Sequence, residues 1–219
     1  MRERLGAGRD VHVLDVPRVH PRDATRWLVG WLDGAGIDRA DLVGHSLGGL
    51  ICARTAAAAP SRVRQLVLIA PAGVPSDRRL VGHAAPLAAT LAQVPTYAPR
   101  IAIDALRAGP GLLRAALYAA TCDLRAELEH VHAPTLLVWG ERDRLVPIDL
   151  AAEWLRALPD ARLAPLSAGH VPMWDAPDEL ARVVLDFLEE PADERGDEAR
   201  PRVVDGVGFG GNDDEPALR

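Results

Sequence analysis

Five short apolar runs alternate with helical stretches, and this alternation constrains the fold more than any other feature of the sequence. The runs span residues 11–16, 42–43, 65–70, 134–140 and 161–166. The run at 65–70 is almost continuously apolar, as expected for a strand that is covered on both faces. Strands that alternate with helices form a mostly parallel sheet flanked by helices. The sequence therefore predicts an α/β fold.

Four helices are predicted between and after these runs. In the first, at 22–32, the apolar residues fall on one helical face. An alanine-rich helix at 50–59 follows the second run, an amphipathic helix at 150–158 follows the fourth, and a closing helix at 177–190 follows the fifth. Each helix can therefore cover the strand that precedes it.

The chain divides into one domain, an insertion and a tail. A length of 219 residues with 48% hydrophobic content suffices for a single core, and we assign that domain to residues 1–190. Within it, residues 71–132 are broken by six prolines and contain no strand pattern, which indicates a helical insertion. Residues 191–219 are charged, rich in glycine and nearly without large apolar side chains, which predicts a disordered tail.

Composition excludes several classes of function. A net charge of −6 provides no basic surface for nucleic acid, and the chain contains no lysine, which excludes Schiff-base chemistry. The two cysteines, Cys52 and Cys122, have no metal or redox spacing. No apolar run reaches the length of a membrane span. These features predict a cytoplasmic protein that binds neither nucleic acid nor membrane.

The sequence Gly44-His45-Ser46-Leu47-Gly48 lies between a predicted strand and a predicted helix. A serine at such a sharp turn is held in a strained conformation with its hydroxyl exposed, and small flanking residues avoid clashes. The N–H of Leu47 would point at a developing oxyanion. We therefore predict that Ser46 is a nucleophile. His45 is adjacent on the turn and poorly placed to accept the proton of Ser46, so we expect it to pack or to orient its neighbours.

A serine nucleophile needs a histidine base, and four histidines follow Ser46. His170 lies in the loop after the last predicted strand, where its ring would reach the carboxyl edge of the sheet. His83 lies in the insertion and is expected to be solvated. His130 and His132 form a His-x-His pair without a third ligand nearby, which favours a structural role over a metal site. His170 is therefore the best candidate.

The base in turn needs a carboxylate that orients it. Asp143 follows the strand predicted at 134–140 and can reach a histidine in the next loop. Glu141 is closer to the strand end, and Asp149 is expected to cap a helix. Asp175 and Asp178 come after the histidine and are interpreted as charges at a helix start. Asp143 is thus favoured over Glu141 and Asp149.

Three segments resemble the α/β-hydrolase superfamily in consistent order. The sequence at 44–49 resembles its nucleophile turn, 139–147 its acid segment and 169–172 its histidine segment; Val-Leu-Asp-Val-Pro at 13–17 resembles its fourth strand. The resemblance implies an α/β-hydrolase fold in which residues 71–132 are a helical cap over the active site. It also implies hydrolysis of an ester or related acyl bond through a covalent acyl-enzyme, without metal or organic cofactor.

The chain departs from that pattern at its start. The superfamily has three strands before the one that resembles 13–17, and the third ends in a loop that donates a second oxyanion N–H. We find no such segment, and we expect an amino-terminally truncated form of the fold. Loss of one oxyanion donor costs on the order of 10²–10³ in turnover.

The leading expectation is a carboxylic ester hydrolase that acts on a small molecule through Ser46, His170 and Asp143. Two alternatives stay open. One is a carbon–carbon bond hydrolase with the same triad, and the other is a catalytically impaired fragment or binding protein. Neither the substrate nor the oligomeric state follows from the sequence.

Overall fold

The structure of the chain is a computed structural model that describes residues 10–15, 23–75, 110–190 and 202–203. Within these residues it contains seven α-helices, five strands and two short 3₁₀ segments. In chain order the elements are α1 (Ala24–Gly34), β1 (Ala40–His45), α2 (Leu47–Ala58), a 3₁₀ turn (Pro60–Arg62), β2 (Val63–Ile69), α3 (Pro110–Thr121), α4 (Arg125–Leu128), β3 (Thr135–Gly140), a 3₁₀ turn (Ile148–Leu150), α5 (Ala151–Ala157), β4 (Ala161–Leu166), α6 (Pro172–Asp175), α7 (Pro177–Glu189) and β5 (Arg202–Val203).

The strands form one sheet in the order β1-β2-β3-β4-β5, and every pairing is parallel. The register aligns the carboxyl ends of neighbouring strands, with His45 opposite Ile69, Ile69 opposite Val138 and Gly140 opposite Leu166. The loops that follow the strands therefore leave from one edge. This architecture confirms the prediction of a mostly parallel sheet flanked by helices.

Both faces of strands β2 and β3 are buried, which explains their continuous apolar runs. In β2, Leu66 and Leu68 belong to a core cluster that also includes buried residues of α1 and α2. Val67 and Ile69 point to a second cluster that includes buried residues of α7. The side chains alternate between the two clusters because successive residues of a strand face opposite sides of the sheet.

The predicted elements agree with the structure except at the first two strands. The strand predicted at 42–43 is six residues long, Ala40–His45, because pairing with β2 recruits residues of low strand propensity. The prediction of a strand at 11–16 is wrong. The structure describes residues 10–15 of this region, and they lie in neither a helix nor a strand. Val11 and Leu14 contact the core there, but apolar contact without a hydrogen-bonded neighbour makes no strand.

Two other predicted segments fall largely outside the described residues. Of the insertion predicted at 71–132, residues 76–109 are not described, whereas α3 and α4 in its second half are helical. Of the tail predicted at 191–219, the described residues are Arg202 and Val203, which pair with β4. The helical cap and the disordered tail stay predictions.

None of the helices within the described residues combines the length and the apolar character needed to cross a membrane. The cytoplasmic location stays a prediction.

Gln65 is a buried polar side chain that connects the sheet to α7. Its side-chain amide nitrogen donates to the carbonyl of Phe187 at 3.0 Å and to that of Glu190 at 3.2 Å. The last carbonyl groups of a helix have no partner within the helix. Gln65 therefore satisfies carbonyl groups at the end of α7 from inside the core, although the sequence pattern placed it in a simple apolar strand.

We expect Gln65→Met to lower the free energy of unfolding by about 2 kcal/mol, because it withdraws a buried donor from two carbonyl groups while keeping the side-chain length. Urea denaturation measures the change. Arg182→Met is the control on α7. Arg182 pairs with Asp186 where both side chains are more than half exposed and ion pairs contribute little, so a change below about 1 kcal/mol is expected. Equal losses in the two variants would contradict the role of Gln65.

Candidate active site

Ser46 lies on the turn between β1 and α2 and is held in a strained backbone conformation. Its φ is 52° and its ψ is −116°, a conformation that costs a non-glycine residue about 1–3 kcal/mol. Backbone hydrogen bonds hold it there: its N–H donates to Ile69 at 3.0 Å, and its carbonyl accepts from Leu50 and Ala72, both at 3.1 Å. The turn is therefore fixed by the neighbouring strand β2 and the chain that leaves it.

The hydroxyl group of Ser46 does not cap α2. Serine is a preferred residue at this position because its oxygen normally accepts a hydrogen bond from the first turn of the helix. Here Ser46 makes no side-chain cap hydrogen bond, and its Oγ instead lies 3.3 Å from Nε2 of His170. The conformation that strains the backbone therefore directs the hydroxyl away from the helix and towards the histidine.

Close approach of neighbouring atoms explains why residue 44 of the motif is glycine, but it does not explain Gly48. A Cβ on Gly44 would lie 2.5 Å from the carbonyl oxygen of Gly48 and 2.7 Å from the nitrogen of Gly49. A Cβ on Gly49 would lie 2.9 Å from Pro71 Cβ. At Gly48 a Cβ would meet no heavy atom of the described residues within 4 Å. The steric requirement that the sequence suggested for both flanking residues holds for Gly44 and not, within these residues, for Gly48.

Asp143 is fixed by the loop that follows β3. Its Oδ1 accepts hydrogen bonds from the backbone N–H groups of Leu145 and Val146, each at 2.9 Å. The indole N–H of the buried Trp139 donates to the carbonyl of Val146 at 2.8 Å, which ties this loop to the core. One carboxylate oxygen is thus held by the backbone, and Oδ2 is left for another partner.

The loop that carries His170 packs directly on the end of β3. A Cβ on Gly140 would lie 2.1 Å from the carbonyl oxygen of Gly169, so only glycine permits this approach. The N–H of Arg142 donates to Ala168 at 2.9 Å. The acid and histidine loops therefore form one connected unit.

Ser46, His170 and Asp143 form a continuous chain of contacts. Nδ1 of His170 lies 2.7 Å from Oδ2 of Asp143, and Nε2 lies 3.3 Å from Oγ of Ser46. Both members of the His170–Asp143 pair are buried, with 5% and 0% of their side chains exposed. When Nδ1 carries the proton and donates to Asp143, Nε2 is free to accept the proton of Ser46. The structure thus brings together the three residues selected from the sequence.

Leu47 is the first residue of α2. The first N–H groups of a helix have no acceptor within it, and the helix dipole favours negative charge at this end. The predicted oxyanion donor therefore lies at the amino end of a twelve-residue helix, directly beside Ser46.

His45 contacts the histidine rather than the serine. Its Nε2 lies 2.8 Å from the backbone carbonyl oxygen of His170, and the two rings are 4.9 Å apart at 49°. Burial and, to a lesser extent, the adjacent His170 lower the pKa of His45 to about 4. It is therefore neutral at physiological pH and acts as a hydrogen-bond donor to the carbonyl.

The alternative acids and histidines lie away from this chain of contacts. Glu141 and Asp149 are exposed, as are His130 and His132; His83 lies outside the described residues. Within the described part of the chain, no group of three or more His, Cys, Asp or Glu side chains is arranged to hold a metal ion.

Asp175 has a role that the sequence pattern did not reveal. It lies at the end of α6, and its Oδ2 accepts a hydrogen bond from the N–H of Gly169 at 2.6 Å. Its interpretation as a charge at the start of the closing helix is therefore incomplete, whereas Asp178 does lie in the first turn of α7. Only the short helix α6 brings Asp175 back to the histidine loop, and a four-residue helix leaves little periodic signal in a sequence.

A polar cavity of about 510 Å³ lies between α2 and the α3–α4 region, away from Ser46 and His170. It is lined by Arg54, Tyr118, Thr121, Cys122, Asp123 and Glu127. The guanidinium group of Arg54 bonds both carboxylate oxygens of Glu127, at 2.7 Å and 2.9 Å, and also donates to the Tyr118 hydroxyl. The positive charge of Arg54 is therefore compensated by Glu127. Both cysteines are free and buried.

Comparison with known proteins places the chain in a family. The model of the alpha/beta hydrolase family matches residues 2–183. The chain belongs to the alpha/beta hydrolase family. A 2-hydroxy-6-oxo-6-phenylhexa-2,4-dienoate hydrolase from Comamonas testosteroni is 29% identical over 199 residues, which cover 75% of this chain and 68% of the relative.

Two further relatives indicate the breadth of this hydrolase family. A protein named a carbamate hydrolase (RutD) from Pseudomonas savastanoi pv. phaseolicola is 33% identical over 186 residues, which cover 74% of this chain and 72% of the relative. The crystal structure of MGS-M2, an alpha/beta hydrolase from a Medee basin deep-sea metagenome library, has a TM-score of 0.65 at 20% identity and covers 81% of this chain and 74% of its own. The names of the two sequence relatives give different substrates, a dienoate and a carbamate.

We expect Gly44→Ala to destabilise this hydrolase by about 3 kcal/mol, because a methyl group there would overlap the backbone of Gly48 and Gly49. Gly48→Ala is the matched control. Residue 48 lies in α2, where alanine is preferred to glycine by about 1 kcal/mol, so stability should be unchanged or higher. Thermal denaturation followed by circular dichroism compares the two. A Gly44→Ala variant as stable as the wild type would contradict the close approach.

Proposed function

We propose that this hydrolase cleaves a small carboxylic ester through a covalent acyl-enzyme. Oγ of Ser46 attacks the carbonyl carbon while Nε2 of His170 accepts the hydroxyl proton. His170 then gives that proton to the leaving alcohol as the ester bond breaks. Water attacks the acyl-enzyme, its proton passes to His170, and the same proton returns to Ser46 as the acid product leaves.

The observation that carries this proposal is the ordered contact of Ser46 with His170 and of His170 with Asp143. A distance of 3.3 Å between Oγ and Nε2 is within reach of proton transfer, since such contacts are often long before substrate binds. The carboxylate of Asp143, held by two backbone N–H groups, is arranged to fix the imidazole tautomer and to stabilise the imidazolium that forms.

The oxyanion would be bound at the start of α2. The N–H of Leu47, at the first position of α2 beside Ser46, would donate to it, and removal of one such donor from a hydrolase costs on the order of 10²–10³ in turnover. The chemistry requires neither metal nor organic cofactor, because the serine supplies the nucleophile and the histidine moves the proton. The proposed partner is therefore a small ester or related acyl compound.

We expect a fluorophosphonate probe to label the purified chain once, and Ser46→Ala to abolish labelling because the nucleophilic oxygen is absent. Intact-mass spectrometry measures the adduct. Ser167→Ala is the matched serine control; Ser167 is exposed in the histidine loop, and labelling of this variant should persist. A folded wild-type chain that stays unlabelled would reject the proposal and favour an impaired hydrolase-like protein. Labelling that survives in Ser46→Ala would assign the nucleophile elsewhere.

A second candidate is hydrolysis of a carbon–carbon bond with the same three residues. The observation that favours it is the Comamonas relative, which is named as a hydrolase of 2-hydroxy-6-oxo-6-phenylhexa-2,4-dienoate. The name implies cleavage beside a ketone, where the leaving group is a carbon acid rather than an alcohol. The electron pair of the broken bond then stays on carbon, and His170 must supply a proton to that carbon, which demands more of the site than ester cleavage.

A substrate panel separates the two candidates. We expect kcat/KM for p-nitrophenyl esters of short acids to exceed that for 2-hydroxy-6-oxo-dienoates by at least roughly tenfold, which corresponds to 1.4 kcal/mol of transition-state discrimination. Both reactions are followed by absorbance with the same enzyme preparation, with Ser46→Ala as the blank for each. The reverse preference would assign the carbon–carbon bond hydrolase.

A further inference from the structure

We infer that His45 is a positioning residue that holds the backbone of His170 and thereby aligns the base with Ser46. The inference rests on the proposed function, since it concerns the histidine that serves there as base. It rests on a different contact from the proposed function, namely the one between the His45 side chain and the main chain of His170.

The contact connects two parts of the chain that are 125 residues apart. Nε2 of His45 lies 2.8 Å from the carbonyl oxygen of His170, and that carbonyl can only accept, so Nε2 must carry the proton. The rings are 4.9 Å apart and tilted by 49°. His45 therefore restrains both the peptide group and the imidazole of His170.

The position of His45 makes this restraint relevant to catalysis. His45 is the last residue of β1, and the next residue is Ser46. A movement of the turn that displaced Ser46 would also displace the donor that holds His170. The hydrogen bond thus couples the position of the nucleophile to that of the base, whose separation of 3.3 Å determines whether proton transfer occurs.

Asp175 holds the same loop from another direction. Its carboxylate accepts the N–H of Gly169 at 2.6 Å, immediately before the residue whose carbonyl His45 binds. The main chain around His170 is thus held by one side chain that donates and one that accepts. This leaves the imidazole little freedom except rotation about its own side-chain bonds, which the contact with Asp143 restricts.

The electrostatic surroundings keep His45 suitable for this role. The titratable groups that face it are His170 and Asp143, and burial together with His170 lowers its pKa to about 4. A neutral ring can donate to the carbonyl without placing a positive charge beside the imidazolium that His170 becomes during the reaction. The positive charge of a lysine or arginine at this position would repel that imidazolium and make its formation less favourable.

Two substitutions separate the hydrogen bond from packing. His45→Met keeps much of the volume but removes the donor, whereas His45→Gln places an amide nitrogen near the site of Nε2. His132→Gln, at an exposed histidine, is the matched control. Steady-state kinetics on a p-nitrophenyl ester and the rate of fluorophosphonate labelling are measured for each variant, and thermal denaturation confirms that each is folded.

We expect His45→Met to lower kcat and the labelling rate by roughly ten- to a hundredfold with little change in KM, because misplacement of a catalytic group by about 1 Å has effects of this size. His45→Gln should recover to within roughly threefold of the wild type, since it restores one neutral hydrogen bond. His132→Gln should match the wild type. A folded His45→Met variant with wild-type kcat would overturn the inference. So would a folded His45→Gln variant as slow as His45→Met. Either result leaves the proposed function intact.

A second measurement does not require turnover. The protein is labelled isotopically at its histidines, and proton NMR then detects the Nδ1–H of His170 that donates to Asp143. This proton gives a resonance far downfield. We expect this resonance in the wild type and in His45→Gln, and its broadening or loss in His45→Met through faster exchange with water. An unchanged resonance in His45→Met would reject the positioning role, even if the wild type neither labels nor hydrolyses esters and the proposed function has failed.

Discussion

The site depends on the common level at which the parallel strands end. His45, Ile69, Val138, Gly140 and Leu166 lie at the carboxyl ends of β1 to β4, and the register places these ends beside one another. Loops that leave one edge of a sheet meet although they are far apart in sequence, which is why ligands bind at this edge in open α/β sheets. A register slip would separate the loops and reverse the faces of the strand as well. The apolar faces of β2 and β3 therefore secure the geometry of the site through the core.

The strain at Ser46 is sustained by this same arrangement. A φ of 52° persists only where surrounding contacts determine the backbone more strongly than local preference does. Here β2 accepts the N–H of Ser46, α2 and Ala72 donate to its carbonyl, and Gly44 permits the turn to close on itself. The result is a serine at the start of a helix whose hydroxyl is not used by that helix. Local strain and long-range packing together leave the oxygen available for chemistry.

Much of the fold could be predicted because the strands β3 and β4 and the helices around them carry strong local patterns. The run at 161–166 coincides with β4, and Ser46, Asp143 and His170 each lie in a segment that follows a strand, which in a parallel sheet indicates one common edge. Pairing partners, in contrast, are not local properties. Residues 10–15 have a strand-like sequence but no ladder, whereas β1 gains four residues beyond its apolar pair through β2. The short helix α6, which returns Asp175 to the histidine loop, has too few residues for periodicity to reveal.

Identity and orientation of the base thus have different origins. His170 could be selected from its place after a strand, but its orientation depends on partners spread over the chain: His45 from β1, Asp143 from the loop after β3 and Asp175 from α6. Each partner fixes a different group, namely the carbonyl of His170, its Nδ1 and the N–H of the preceding residue. Because these contacts are directional, they restrict rotation in a way that apolar packing alone does not. A histidine on a loop is thereby held by directional contacts from three separate parts of the chain.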